Sequence, residues 1–262
     1  MKNPFLPHKM EILDVIPETE IDSTFVLALD KPVKPGQFLE LSLPGVGEAP
    51  ISVSDFDEGR LFVTIRKVGR LTDAIFTLGP GDFLFARGPY GNGFDYQDFW
   101  GSDLKVIAGG TGLAPVKKVI KNFIDSDKVS SLQVLLGFKT PEDILYREEV
   151  RAWVDSGVAT LTVDKAGSDW GGNTGLITGY LKGLDLSRLD KCKFIVVGPP
   201  VMIKFVTLEL LLLKVPEDNI WVSLERKMSC GLGKCGHCKI DETYVCLEGP
   251  VFRFQRARRL LD

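Results

Sequence analysis

Four cysteines close to the C-terminal end of the sequence have a spacing that suits a metal cluster. They follow one another as C-x4-C-x2-C-x7-C, at Cys230, Cys235, Cys238 and Cys246. The plant-type [2Fe–2S] pattern begins with C-x4-C-x2-C and ends with a more distant cysteine. Glycines between the cysteines let the backbone wrap tightly and aim N–H groups at the sulfurs. The segment therefore predicts a [2Fe–2S] cluster, which would accept and donate single electrons.

A structural zinc site in a non-catalytic binding module is the alternative from a different class. Zinc sites with four cysteine ligands usually have two CxxC pairs separated by a long spacer. Only one CxxC pair is present here, and Cys230 precedes it, so the spacing favours iron and sulfur over zinc. His237 lies between two of the cysteines, and we expect it beside the cluster or exposed, because four cysteines already suffice.

Two glycine-containing turns have the composition of a phosphate-binding site. Each turn follows an apolar run and precedes a helical stretch. Backbone N–H groups at such a turn, together with the N-terminus of the next helix, attract the phosphates of a nucleotide. The first turn departs from the G-x-G-x-x-G spacing and by itself also fits a tight structural turn. The second turn favours a nucleotide crevice at the carboxyl ends of parallel strands. The candidate nucleotide-binding residues are Gly109, Gly110, Thr111, Gly112, Pro115, Gly198, Pro199 and Met202.

The elements that must position these residues are of two kinds. In the range 1–100, short apolar or alternating runs are separated by glycine and proline turns, which is typical of an all-β barrel. In the range 101–224, apolar strands alternate with helices predicted over 115–124 and 201–214, which indicates a parallel α/β sheet. The predicted fold class is therefore a β-barrel plus α/β, with the cysteine range 225–262 as an extension.

These segments, in this order, resemble the ferredoxin–NADP reductase superfamily over nearly the whole chain. In that superfamily a β-barrel binds FAD, and an α/β domain binds the nicotinamide nucleotide through a GGTG-type turn and a later G-P-P-x-M turn. The cysteine range is similar to a branch with three members: the dihydroorotate dehydrogenase electron-transfer subunit, sulfhydrogenase gamma and the B subunit of anaerobic sulfite reductase. It is most similar to the last of these. The resemblance implies an FAD-binding barrel over 1–100, an NAD-binding domain over 101–224 and a [2Fe–2S] segment over 225–262.

The resemblance also implies a flavin site. Ala49 stands where the superfamily has an arginine that pairs with the flavin diphosphate, so we expect Arg66 to replace it. Ser52, near the flavin N5, and Glu225, near the flavin edge, are the candidate catalytic residues. Tyr90 is expected to stack on the adenine or to pack in the barrel. The candidate FAD-binding residues are Pro50, Ile51, Ser52, Val53, Ile65, Arg66, Val68, Gly69, Leu71 and Thr72.

The three cofactors FAD, [2Fe–2S] cluster and NADH together imply an electron path. A nicotinamide donates two electrons as hydride and the cluster accepts one, so the flavin converts between them. Lys139 lies beside two acidic residues, which favours NADH over the 2′-phosphate of NADPH. The expected partners are catalytic and ferredoxin-like subunits of a heteromeric complex, with a dissimilatory-type anaerobic sulfite reductase preferred. A sulfhydrogenase or a dihydroorotate dehydrogenase is the alternative.

Composition excludes other functions. The net charge of −3 does not suit a nucleic-acid-binding protein, which would usually carry a basic excess. The longest apolar stretch, 205–215, is shorter than the roughly 20 residues of a membrane span, and the start has no apolar leader, so we expect a cytoplasmic protein. Cys192 is expected to be a buried thiol. The arginine-rich tail 253–259 suits either a docking surface or a solvated helix face.

Overall fold

The computed structural model describes residues 3–29, 31–124 and 126–260. The ends of the predicted first and last domains, residues 1–2 and 261–262, lie outside these ranges. The chain divides into two compact units. The first unit comprises the chain up to Phe94 together with Leu224–Val251, and the second comprises Asp95–Ser223 together with the chain from Phe252 onward. The three functional domains that we expect from the sequence stay a prediction.

The part of the first unit before Phe94 has, in the residues that the structure describes, six antiparallel strands and a short helix. They are β1 (His8–Pro17), β2 (Asp22–Ala28), β3 (Phe38–Leu43), β4 (Gly47–Asp57), β5 (Arg60–Arg66), α1 (Arg70–Ile75) and β6 (Phe83–Tyr90). The strands close into a barrel in the order β1-β2-β5-β4-β3-β6. Along β5 every second residue is buried, because successive side chains of a strand point to opposite faces. Leu61, Val63 and Ile65 therefore join Phe25 and Leu41 in the barrel core.

The second unit contains most of an open sheet. Its strands and helices are β7 (Asp103–Gly109), α2 (Ala114–Ile124), β8 (Ser131–Phe138), α3 (Arg147–Asp155), β9 (Ala159–Val163), β10 (Asn173–Thr174), β11 (Cys192–Val197), α4 (Pro200–Leu212) and β12 (Ile220–Ser223). Short 3-10 helices occupy Tyr96–Phe99, Gly110–Leu113, Pro141–Asp143, Ile177–Gly183 and Glu217–Asn219. Every residue of β7 is buried, as expected for a central parallel strand that is covered on both faces.

The C-terminal part of the chain adds small elements to both units. They are β13 (Lys239–Ile240), β14 (Thr243–Tyr244), α5 (Val245–Glu248), β15 (Val251–Arg253) and α6 (Phe254–Ala257). β15 completes a seven-stranded sheet of order β10-β9-β8-β7-β11-β12-β15, in which neighbours from β10 to β12 are parallel. No helix in the described ranges is both long enough and apolar enough to cross a membrane.

The barrel and the parallel sheet confirm the predicted fold class. The strand β1 and the helix α3 were not predicted, and both have weak patterns. Only Met10 and Ile12 are buried in β1, and only Val150 and Trp153 are buried in the highly charged α3. A short apolar face leaves little periodic signal in the sequence.

Candidate functional site

The two glycine turns lie next to each other because β7 and β11 are paired in the sheet. The first turn runs from the end of β7 through the 3-10 helix Gly110–Leu113 into α2, and Gly110 has a φ of +54° that favours glycine. A Cβ on Gly112 would lie 2.6 Å from the Cα of Gly198. The main chains of the two turns are therefore packed directly against each other at the carboxyl ends of neighbouring strands.

Met202, in the first turn of α4, closes this arrangement. A Cβ on Gly198 would lie 2.7 Å from its Cε, and a Cβ on Gly109 would collide with its Sδ. Pro199 lies close to Gly109 as well. The structure thus brings together predicted residues from both turns, and it places Thr111 in the 3-10 helix and the buried Pro115 in the first turn of α2. Main-chain N–H groups at this helix start suit the pyrophosphate of a dinucleotide.

The predicted flavin strand forms part of β4. Pro50, Ile51 and Ser52 are half-buried and Val53 is buried, so the first three leave side-chain surface open on the barrel. Ser52 is paired with Phe38 across the strands β4 and β3. Ile65 is fully buried in the barrel core, so it can reach a cofactor only through its main chain.

The predicted diphosphate residues have partners within the barrel. Arg66 donates from Nε and Nη2 to the two carboxylate oxygens of the fully buried Asp22, at 2.8 and 2.9 Å. Thr72 Oγ1 accepts hydrogen bonds from the main-chain N–H groups of Val68 and Gly69, at 2.8 and 3.0 Å, and donates to the Gly69 carbonyl oxygen. Leu71 is half-buried in the same turn. These contacts pre-form the turn, and the roles of its residues at FAD stay a prediction.

Glu225, the second candidate catalytic residue, follows β12. Surrounding protein partly desolvates its carboxyl and raises its pKa, although the residue keeps solvent exposure. Desolvation disfavours the charged form of a carboxyl. The environment therefore favours proton retention by Glu225.

The cysteines lie in a segment whose main-chain N–H groups point at their sulfurs. We call residues 225–251 the cysteine segment. Leu232 and Lys234 each donate to Cys230 Sγ at 3.4 Å. Gly233 donates to Cys246 Sγ at 3.2 Å. Donors of this kind stabilise thiolates and tune an iron–sulfur cluster, so the donor set fits the predicted group.

The four thiols differ in environment. Cys230, Cys238 and Cys246 are buried, whereas Cys235 is exposed. The main-chain N–H of His237 lowers the pKa of Cys235, and desolvation, followed by the contact with Cys238, raises the pKa of Cys246 to about 12. Within residues 3–29, 31–124 and 126–260, no group of three or more His, Cys, Asp or Glu side chains is arranged so that it could hold a single metal ion.

The segment at the end of β6 makes contacts with the cysteine segment that the sequence did not predict. Arg87 and Asn92 contact the cysteine segment through hydrogen bonds, and the ring of Tyr90 packs over Gly231 and beside Phe38. The string 87–94 fits the family resemblance, but nothing in the sequence indicated that Arg87 and Asn92 contact the cysteine segment.

The remaining sequence features have ordinary surroundings. Cys192 is buried at the start of β11, as expected. Of the tail arginines, Arg253 pairs with Asp98 at 3.1 Å and Arg258 pairs with Glu217 at 2.7 Å. Arg253 ends β15 and Arg258 follows α6, and both interpretations of the tail, a docking surface or a solvated helix face, stay predictions.

Two family models match the chain. Residues 106–207 match the oxidoreductase NAD-binding domain, and residues 225–257 match the iron–sulfur cluster binding domain of dihydroorotate dehydrogenase B. The sulfhydrogenase 1 gamma subunit of Pyrococcus furiosus is 34% identical over 96% of this chain and 92% of its own length. A probable dihydroorotate dehydrogenase B electron-transfer subunit of the same organism is 34% identical over 83% of this chain and 78% of its own length.

A similar solved structure is a chain of an NADH-dependent reduced ferredoxin–NADP oxidoreductase, from work on flavin-based electron bifurcation. It is 28% identical, with a TM-score of 0.77, over 97% of this chain and 90% of that chain. FAD, an iron–sulfur cluster and NADH are the cofactors of this fold and of the two matched domains.

Proposed function

We propose a function from the premise that this chain belongs to the ferredoxin reductase-like family of electron-transfer subunits that includes sulfhydrogenase gamma and the electron-transfer subunit of dihydroorotate dehydrogenase B. The chain oxidises NADH at FAD and passes single electrons through a [2Fe–2S] cluster to a partner catalytic subunit. It is thus an NAD(P)H-dependent flavin iron–sulfur oxidoreductase subunit.

One observation carries this proposal: a single chain combines two packed nucleotide turns with four clustered cysteines, and the sulfurs of Cys230, Cys238 and Cys246 accept main-chain N–H groups. When bound, FAD accepts the two electrons of a hydride and releases them one at a time, which the cluster requires. A zinc-binding module would need no nucleotide crevice. The cysteine spacing and the donor set together support a redox role.

The chain's own residues position these groups. Main-chain N–H groups of Gly110–Leu113 and the N-terminus of α2 orient the pyrophosphate of NADH. Pro50 and Ile51 would line the flavin, and Ser52 would donate a hydrogen bond near its reactive edge. Arg66, with Val68, Gly69, Leu71 and Thr72, would bind the diphosphate. Glu225 is the candidate catalytic carboxyl beside the flavin edge.

The partner is a catalytic subunit of a heteromeric cytoplasmic oxidoreductase. A dissimilatory-type anaerobic sulfite reductase that makes sulfide is our specific candidate, supported by the similarity of residues 225–252 to that subunit family. A sulfhydrogenase or a dihydroorotate dehydrogenase is the second candidate, supported by the 34% identity to both kinds of subunit. Copurification of the complex, followed by assays with sulfite, polysulfide and dihydroorotate, separates these partners.

The test of the electron path is a visible spectrum of anaerobically purified protein before and after NADH. We expect flavin bands and a broad iron–sulfur shoulder, and both should bleach with NADH. A protein that takes up zinc and no iron on anaerobic reconstitution would instead be the binding module. Flavin bands without the shoulder would leave a simple flavin reductase.

A further inference from the structure

The end of β6 holds both ends of the cysteine segment through main-chain contacts. Arg87 donates from Nη1 to the Cys230 carbonyl oxygen at 2.9 Å and from Nη2 to the Ser229 carbonyl oxygen at 2.7 Å. Asn92 donates from Nδ2 to the Val251 carbonyl oxygen at 2.7 Å and accepts from the Val251 N–H at 3.2 Å. All of these residues belong to the first unit.

Close packing fills the space between these two anchors. Gly231 has a φ of +67°, and a Cβ there would lie 2.5 Å from Cε2 of Tyr90. A Cβ on Gly91 would lie 2.6 Å from Pro250. Side chains larger than hydrogen would therefore push the segment away from the barrel.

Arg87 is the most constrained of these residues. Its side chain is only 6% exposed, and all five of its N–H donors have acceptors. Glu48 accepts a bidentate pair from Nε and Nη2, and the Tyr90 hydroxyl oxygen accepts from Nη1 at 3.4 Å. The other two donors reach the carbonyl oxygens at Ser229 and Cys230. A lysine has three donors and no planar fork, so it cannot make this set of contacts.

The charge around Arg87 also favours a guanidinium. Glu40 is fully buried beside it, and neither carboxylate oxygen of Glu40 has a hydrogen-bonding partner within the described part of the chain. Two acidic side chains, Glu40 and Glu48, therefore face one arginine. Loss of the arginine would remove the positive charge beside the buried Glu40 and the donor to the carbonyl oxygen of the buried Cys230, which is strongly unfavourable.

We propose that Arg87 is a positioning residue that fixes the first cluster ligand, Cys230, on the flavin-binding barrel, and that Glu48 orients it. The cluster is thereby held in one place relative to the barrel, and the positive charge near Cys230 favours the reduced cluster, since net charge tunes its potential. Only the effect of Arg87 on the cluster potential, and so on electron transfer, rests on the proposed function. The anchoring itself is independent of it.

The test compares Arg87→Met, Arg87→Lys and Glu48→Gln with the wild type. Arg60→Met is the matched control, because Arg60 lies on the same barrel, is exposed and forms its ion pair with the nearby Asp57. Three quantities are measured on iron-reconstituted protein: the rate of iron release to a chelator, the midpoint potential of the cluster, and hydrogen exchange at the N–H groups of residues 230–234.

We expect Arg87→Met to release iron about 10 to 100 times faster than wild type, because loss of a residue that supports a metal ligand typically lowers metal affinity by that factor. In Arg87→Met the midpoint potential of the cluster should fall, and hydrogen exchange at residues 230–234 should be faster. Arg87→Lys and Glu48→Gln should give values between those of Arg87→Met and the wild type. Arg60→Met should give wild-type values. NADH should still bleach the flavin in every variant.

Wild-type iron release, potential and exchange in Arg87→Met would overturn the proposal. If Arg87→Met does not fold, wild-type values in both milder variants would overturn it.

Measurements on the wild type distinguish a failure of this inference from a failure of the proposed function. If NADH bleaches neither flavin nor cluster in the wild type, the electron path is wrong. Iron release and hydrogen exchange in the variants still decide whether Arg87 anchors the segment.

Discussion

Gly112 and Gly198 lie in direct main-chain contact, with room for no side chain between them: a Cβ on Gly112 would come within 2.6 Å of the Cα of Gly198. The two residues belong to different turns, after β7 and β11, and the contact joins these turns into one surface. The geometry of the predicted nucleotide crevice therefore depends on hydrogen as the side chain at Gly112, while a Cβ on Gly198 would meet Cε of Met202 at 2.7 Å.

The first prediction concerns this contact. Gly112→Ala should push the two turns apart and weaken NADH binding by about 5- to 150-fold, because overpacking by a methyl group typically costs about 1–3 kcal/mol and each step of about 1.4 kcal/mol is a factor of ten. NADH titration of flavin bleaching under anaerobic conditions measures the effect. Gly179→Ala is the control, since no atom lies within 4 Å of a Cβ there. Equal NADH affinity in the two variants would contradict the prediction.

The second prediction concerns Gly231, against the ring of Tyr90. Gly231→Ala should destabilise the cysteine segment by about 1–3 kcal/mol more than Gly236→Ala. Both glycines have positive φ, but a Cβ on Gly236 would meet no atom within 4 Å, so that variant carries only the backbone strain. The measurement is iron content per chain after thermal challenge. A Gly236→Ala variant that loses as much iron as Gly231→Ala would show that the contact with Tyr90 is unimportant.

The third prediction separates the cluster cysteines from the fifth cysteine. Cys238→Ser should abolish the iron–sulfur shoulder and leave the flavin bands and their bleaching by NADH, because one of four thiolate ligands is lost. Cys192→Ser should keep wild-type iron content, since Cys192 is buried in the second unit at the start of β11. Iron and sulfide analysis with visible spectra provides the measurement. Normal iron content in Cys238→Ser would remove Cys238 from the ligand set.

The fourth prediction concerns pH. Desolvation, followed by repulsion from Glu48, raises the pKa of Glu40 to about 7 from 4.5. A carboxyl whose pKa is raised in the folded protein does not lower the free energy of unfolding at pH values below its pKa in the unfolded chain. The cost grows as pH rises from about 4.5 to about 7 and is complete above that.

We therefore expect Glu40→Gln to gain stability over wild type as pH rises through this window. The gain should be on the order of 3 kcal/mol, since each tenfold change in an acid dissociation constant corresponds to about 1.4 kcal/mol. Urea unfolding of FAD-loaded protein at pH 5 and pH 8 measures it. The exposed Glu11→Gln on β1 is the control. A difference between Glu40→Gln and wild type that does not change with pH would contradict the prediction.

Several features of the site were predictable from local pattern. The barrel and the parallel sheet follow from strand and turn signals, and the glycine turns lie where the sequence predicted them. The short, charged α3 and the weakly buried β1 were missed, because their apolar faces are too small to give a period. Arg66 shows another limit. Its position at a strand end was visible in the sequence, but its pair with Asp22 joins two strands that only the fold brings together.

The sequence by itself determined the chemistry, because ligand spacing and turn composition are local properties. C-x4-C-x2-C-x7-C predicts an iron–sulfur cluster, and glycine at a strand end predicts a phosphate turn, wherever those segments lie. Only the tertiary structure decided what holds the cysteine segment in place. Arg87 and Cys230 are 143 positions apart, and Gly112 meets Gly198 only because β7 and β11 are neighbours. Contacts between distant parts of a chain depend on how the whole core packs, and no local pattern encodes them.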